Sequence, residues 1–152
     1  AHTQSVEFIV TTNYADFLPK NPTLPLPEEL KLEKRLLAET VDFTSILSEY
    51  DPFTGQVDID LYHDIGLMVF TSGTTGRPKA AMLPYISALF KTAATVQANQ
   101  VVTTDTSLAV APLCHIAGMV MGVNTPVYSG CTSILLTRFD PATAIEAIET
   151  YS

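Results

Sequence analysis

The chain reads as an α/β protein, a mostly parallel sheet with flanking helices, and three observations predict this. After residue 64, short apolar runs at 67–70, 80–83, 108–111 and 131–136 alternate with helically spaced segments at 86–98 and 117–127 and a last one opening at Asp140-Pro141. Alternating strand and helix is the pattern of a parallel sheet, because a parallel crossover needs a helix-length connection. The strand runs are also continuously apolar, as in Leu67, Met68, Val69 and Phe70, which suits strands covered on both faces. Finally, 152 residues supply one core rather than two.

In chain order, residues 6–12, with Phe8, Ile9 and Val10 in succession, predict a strand closed by Asn13. Prolines at 19, 22, 25 and 27 make residues 18–27 an extended linker. From Pro27 the sequence PEELKLEKRLLAE predicts a surface helix, with Pro at its first position, early glutamates, and Leu30, Leu36 and Leu37 roughly helically spaced. Residues 51–56, DPFTGQ, are turn chemistry. This front section, residues 1–63, is read as a variable strand, linker and helix, and residues 64–152 as the βα region. Within the second part, Ile86, Leu89, Phe90 and Ala93 share a helix face, and Asp140 caps the final helix, which carries Ile145 and Ile148.

Composition narrows the function. A net charge of −8 argues against nucleic acid as a partner, since phosphate backbones are bound by clustered Lys and Arg. Cys114 and Cys131, with no CxxC spacing, predict neither a disulfide framework nor a metal site, and are expected to be buried thiols. The 47% hydrophobic content and 16% charged content lie at the apolar end for a soluble domain. A chain this apolar either buries its surface well or lacks a partner that covers it. No uninterrupted apolar run is long enough to span a membrane, and a cytoplasmic or membrane-peripheral location is expected.

The informative stretch is FTSGTTGRPKAAML, residues 70–83. Gly73 and Gly76 permit backbone conformations that let successive N–H groups converge on an anion, and Thr71, Ser72, Thr74 and Thr75 add hydroxyl donors. Pro78 stiffens the exit before Lys79. Between Arg35 and Lys91, Arg77 and Lys79 are the only Lys or Arg residues. The spacing excludes a Walker loop, because two residues rather than four separate Gly73 from Gly76 and no Ser or Thr follows Lys79. A GxGxxG dinucleotide fingerprint is also missing. The bland alternative is a Thr- and Gly-rich hairpin turn between two strands.

TSGTTGRPKA resembles the phosphate-loop signature of the adenylate-forming superfamily, [ST]SG[ST]TGxPKG, from Thr71 to Lys79, departing at Ala80 where glycine is usual. Downstream, APLCHIAGM resembles the family's PLFHxxG segment, which lies near the acyl pocket and the adenylate. His115 and Gly118 match it, while Cys114 stands where an aromatic residue is usual. By itself His115 would be a core histidine. Met119 and Met121 are read as packing residues. The segments NYADFLP and PYISALFKTA are most similar to bacterial and archaeal long-chain acyl-CoA ligases.

The resemblance implies an AMP-binding acyl-CoA synthetase, a fatty-acid–CoA ligase, of which these residues form part of the large domain. Such an enzyme binds ATP, Mg2+ and a carboxylate, forms an acyl-adenylate with release of pyrophosphate, and passes the acyl group to coenzyme A. Thr71, Ser72, Gly73, Thr74, Thr75, Gly76 and Lys79 would hold the phosphates, with Lys79 the catalytic cation, and His115 and Gly118 would line the substrate site. The family's YGxTE and TGD blocks and C-terminal lysine are not found, so the chain is expected to be an inactive internal fragment that self-associates through exposed apolar surface. Alternatives are an aryl-CoA ligase, an amino-acid adenylating domain, and a non-catalytic nucleotide- or polyphosphate-binding or packing module.

Overall fold

The computed structural model describes residues 6–72 and 76–152; Gly73, Thr74 and Thr75 of the expected phosphate loop lie outside them. The chain divides into two compact units, Ala1–Gln56 and Val57–Ser152.

In the first unit, β1 (Val10–Thr11) pairs in parallel with β2 (Val41–Asp42). The strand expected over 6–12 is thus reduced to two residues. The helix expected from Pro27 does not form; residues 28–31 make one 3-10 turn, and Leu32 is already extended at φ −68° and ψ 138°. Its leucines explain why. Leu30 is buried, but Leu36 and Leu37 are exposed, so no continuous apolar stripe exists to hold a short helix against a core. Lys34 is instead drawn between two carboxylates, Asp16 at 2.8 Å and Asp42 at 2.6 Å. Asp42 also caps α1 (Phe43–Glu49), accepting from the Ser45 backbone N–H at 3.2 Å. The hydrogen bond from Lys34, then that from Thr44, holds the Asp42 carboxyl down at about 2.

The second unit is the α/β body. Strand β3 (Ile65–Thr71) pairs with β4 (Lys79–Pro84), followed by α2 (Tyr85–Asn99). Then β5 (Thr106–Ala109) pairs in parallel with β6 (Thr132–Leu135), and α5 (Pro141–Tyr151) ends the chain. Between β5 and β6 runs a helical stretch: α3 (Ile116–Met119), a π-helical turn at Val120–Asn124, and α4 (Thr125–Ser129). The mixed α/β class and the helices near 86–98, 117–127 and 141 onward agree with the sequence reading.

Pairing differs in one place. β3 and β4 run antiparallel, Thr71 opposite Lys79 and Val69 opposite Ala81, because the seven residues between them are too few for a parallel crossover. These two strands are also more exposed than their apolar sequence suggests: Met68, Phe70 and Met82 are 60%, 70% and 65% exposed. The core lies around β5 and the helices, where the buried residues are small: Ala109, Cys131, Ala144 and Ala147, with Thr92 and Thr95 of α2. The two threonines return their hydroxyls to backbone carbonyls four residues earlier, at 2.8 Å each.

Candidate functional site

Thr71 and Lys79, the two ends of the TSGTTGRPK motif, form the last pair of the antiparallel β3–β4 ladder. The Thr71 hydroxyl donates to the Lys79 carbonyl at 3.4 Å across that pair. Gly76 sits at φ +98° with open space where a side chain would be, a backbone state that favours glycine. Ser72, Arg77 and Lys79 are exposed. Hydroxyls and two cations thus crown a hairpin in an otherwise acidic chain, a donor set that suits a polyanion.

The second motif is a tight turn. The His115 N–H donates to the Pro112 carbonyl at 3.0 Å, and the His115 carbonyl accepts from Met119 N–H at 2.9 Å. His115 caps α3 with its own ring: Nδ1 accepts from the Ala117 N–H at 3.2 Å. In the neutral imidazole this leaves the proton on Nε2, which can then donate to a ligand. Gly118 is buried three residues on, and a Cβ there would stand 2.1 Å from the Pro112 carbonyl oxygen. That is the same oxygen the His115 N–H uses, so Gly118 has a backbone-contact role whatever else it does.

These two motifs meet along β3. An open groove of about 260 Å³ is lined by residues 67–70 of β3 on one side and by residues 113–116 and Met119 on the other. Strand β3 therefore walls the groove with its middle and starts the β3–β4 hairpin with its end. Cys114 is exposed there, not buried as expected, while Cys131 is buried. Met119, assigned to packing from sequence, lines the groove as well. Its place four residues after His115, one helical turn on, was the available signal. The β3 and Leu113 lining residues could not be picked out from sequence, since they look like any apolar strand and loop.

The model of the family described as AMP-binding enzyme matches residues 3–152. The chain is 30% identical over 151 residues to a long-chain-fatty-acid–CoA ligase of Bacillus subtilis (strain 168), covering 95% of this chain and 27% of that protein. It is 34% identical over 86 residues to a feruloyl-CoA synthase of Amycolatopsis sp, covering 57% of this chain and 18% of that one. The chain thus spans about a quarter or less of the length of these relatives. Among solved structures, ATP-bound MatB from Rhodopseudomonas palustris superimposes with a TM-score of 0.65 at 23% identity over 72% of this chain and 22% of its own. An O-succinylbenzoate coenzyme A synthetase (MenE) from Bacillus subtilis, in complex with ATP and magnesium ion, superimposes at 0.61 and 20% identity over 95% of this chain and 27% of its own. At these identities the two structures establish a shared fold.

Proposed function

The chain belongs to the AMP-binding enzyme family, and from that premise we propose that it is a section of the large domain of an ATP-dependent fatty-acyl-CoA ligase. The observation that carries the proposal is the continuity of β3, which walls an apolar groove with residues 67–70 and ends in the cation-bearing hairpin. A carboxylate whose apolar tail lies in the groove would present its head toward the phosphates of ATP.

In this reading Thr71, Ser72, Gly73, Thr74, Thr75, Gly76 and Lys79 surround the β- and γ-phosphates. Lys79 supplies positive charge where pyrophosphate departs, which is electrostatic stabilisation of a developing anion. His115, with its proton on Nε2, donates a hydrogen bond toward the ligand at the groove wall, and Gly118 keeps that turn closed. Among the described residues, no group of three or more His, Cys, Asp or Glu could hold a metal ion. Magnesium would share the charge of the nucleotide's phosphates. Transfer of the acyl group to coenzyme A, the second half-reaction, uses residues beyond these 152.

The same reading holds that this chain alone does not turn over. Large apolar side chains such as Phe70, Phe90 and Val127 are 70%, 73% and 80% exposed, which favours self-association of the isolated chain. A concentration-dependent mass in sedimentation is expected, and a dilute, strictly monomeric chain would count against it. The similarity to a feruloyl-CoA synthase supports an aryl acid as a second reading. Carboxylate-dependent ATP–pyrophosphate exchange in the full-length polypeptide, with short, long and aromatic acids, decides both points. Exchange with long-chain acids is expected; exchange with aromatic acids alone would select the second reading, and none with any acid would defeat both.

A further inference from the structure

Gly122 lies outside the groove, yet its missing side chain controls a residue that lines it. It sits in the π-helical turn Val120–Asn124 and is buried. A Cβ built there would meet Leu113 Cδ2 at 2.9 Å and Ala109 Cβ at 3.0 Å. The two neighbours differ in what they can do. Ala109 is in β5, paired with Leu135 of β6 and 8% exposed, so it is fixed by the sheet. Leu113 is 42% exposed and lines the groove, so it is the neighbour that can move, and the groove is open to it.

The turn itself is pinned against the sheet. Ser133 of β6 donates its hydroxyl to the Gly122 carbonyl at 3.2 Å, so position 122 cannot simply retreat from Leu113. A π-helical turn displaces the ordinary i to i−4 pattern, which is how such a carbonyl becomes available to a partner outside the helix. Interiors this closely packed respond to one added methyl by moving the softest neighbour.

We infer that Gly122 is a positioning residue that sets the depth of the groove by letting Leu113 withdraw from it, and so sets how long an acid the groove admits. This rests on the reading of the groove as the acid site. Its consequence is a length limit governed by a residue that touches no substrate.

The test is Gly122→Ala in the full-length polypeptide, assayed by ATP–pyrophosphate exchange over an acid-length series. The KM for the longest acids should rise about tenfold, the scale of one methylene-sized change in an apolar pocket, while the KM for ATP stays constant. Adding Leu113→Ala should restore the long acids. A flat length profile, equal changes in both KM values, or no restoration by Leu113→Ala would overturn the inference. If Gly122→Ala fails to fold, Gly122→Ala/Leu113→Ala/Ala109→Gly, which relieves both contacts, should fold, and its failure would be equally decisive. Methyl NMR of Leu113 separates this from the parent reading. Stronger contacts from Leu113 to Met119 in Gly122→Ala, in a protein inactive with every acid, would sustain the positioning and defeat the acid site. Unchanged contacts would defeat the positioning.

Discussion

The hairpin tip and the His115 turn sit at the two ends of one arrangement and are built on opposite principles. At the hairpin the chemistry lies in side chains held out to water: Ser72, Arg77 and Lys79 are exposed, and Gly76 faces open space. At the turn the side chains matter less than their absence, because Gly118 and Gly122 leave room for a carbonyl and for Leu113. Charge and hydroxyls give the first region its candidate function, and close packing gives the second its shape. Mutations should therefore fail differently in each.

The largest expected effect is at the hairpin. Lys79→Ala should slow acyl-adenylate formation in the full-length polypeptide about 100-fold or more, the usual loss when one preorganised charge-stabilising group is removed. Because Lys79 is exposed, the melting temperature should hardly move. A large drop in thermal stability with the adenylation rate intact would reverse the distinction between the regions.

Next in size is Gly118→Ala, which places a methyl against the Pro112 carbonyl oxygen. Backbone cannot swing aside, so a loss of roughly 2 to 3 kcal/mol is expected, read as a lower denaturation midpoint at constant m. An unchanged midpoint would show that the turn is softer than its geometry implies. A gain is expected nearby: Thr125 is 2% exposed and its hydroxyl has no hydrogen-bond partner among the described residues. Thr125→Val keeps the shape and removes the orphan, and should raise stability by about 1 kcal/mol. A loss of similar size would reveal a partner for that hydroxyl, most simply a water.

The smallest effect lies in the first unit and is electrostatic. Lys34 holds the Asp42 carboxyl at about 2, below its ordinary value of 3.8. A depressed carboxyl stabilises the fold above the unfolded-state value, and that stability is lost as pH falls from about 4 through 2. The backbone N–H of Asn13, then Lys34, lowers Asp16 in the same direction. Lys34→Met should weaken the pH dependence of unfolding over that window. An identical pH profile in the variant would remove Lys34 as its cause.

The same contrast explains what could be read in advance. The family was legible from TSGTTGRPK because the resemblance is written in residue types, and so were the helices near residues 86, 117 and 141, whose caps and periodicity are local. The helix expected at PEELKLEKRLLAE was not, because what decides it is tertiary: Leu36 and Leu37 find no core, and Lys34 finds Asp16 and Asp42. The antiparallel β3–β4 pairing followed from a seven-residue connection that the strand-helix alternation concealed. The exposure of Cys114 and the groove position of Met119 depend on which side of a turn packs inward, which the order of residues does not fix. Gly122 drew no notice, since a glycine in an apolar helix signals nothing until its neighbours are known.

The most direct test of the division between charge at the hairpin and shape at the groove is a pair of KM values, for ATP and for the acid, with the single-turnover rate of adenylate formation, in Lys79→Ala. The division predicts a rate reduced about 100-fold with the acid KM unchanged. A shifted acid KM with an intact adenylation rate would contradict it, placing Lys79 on the acid rather than on the phosphates.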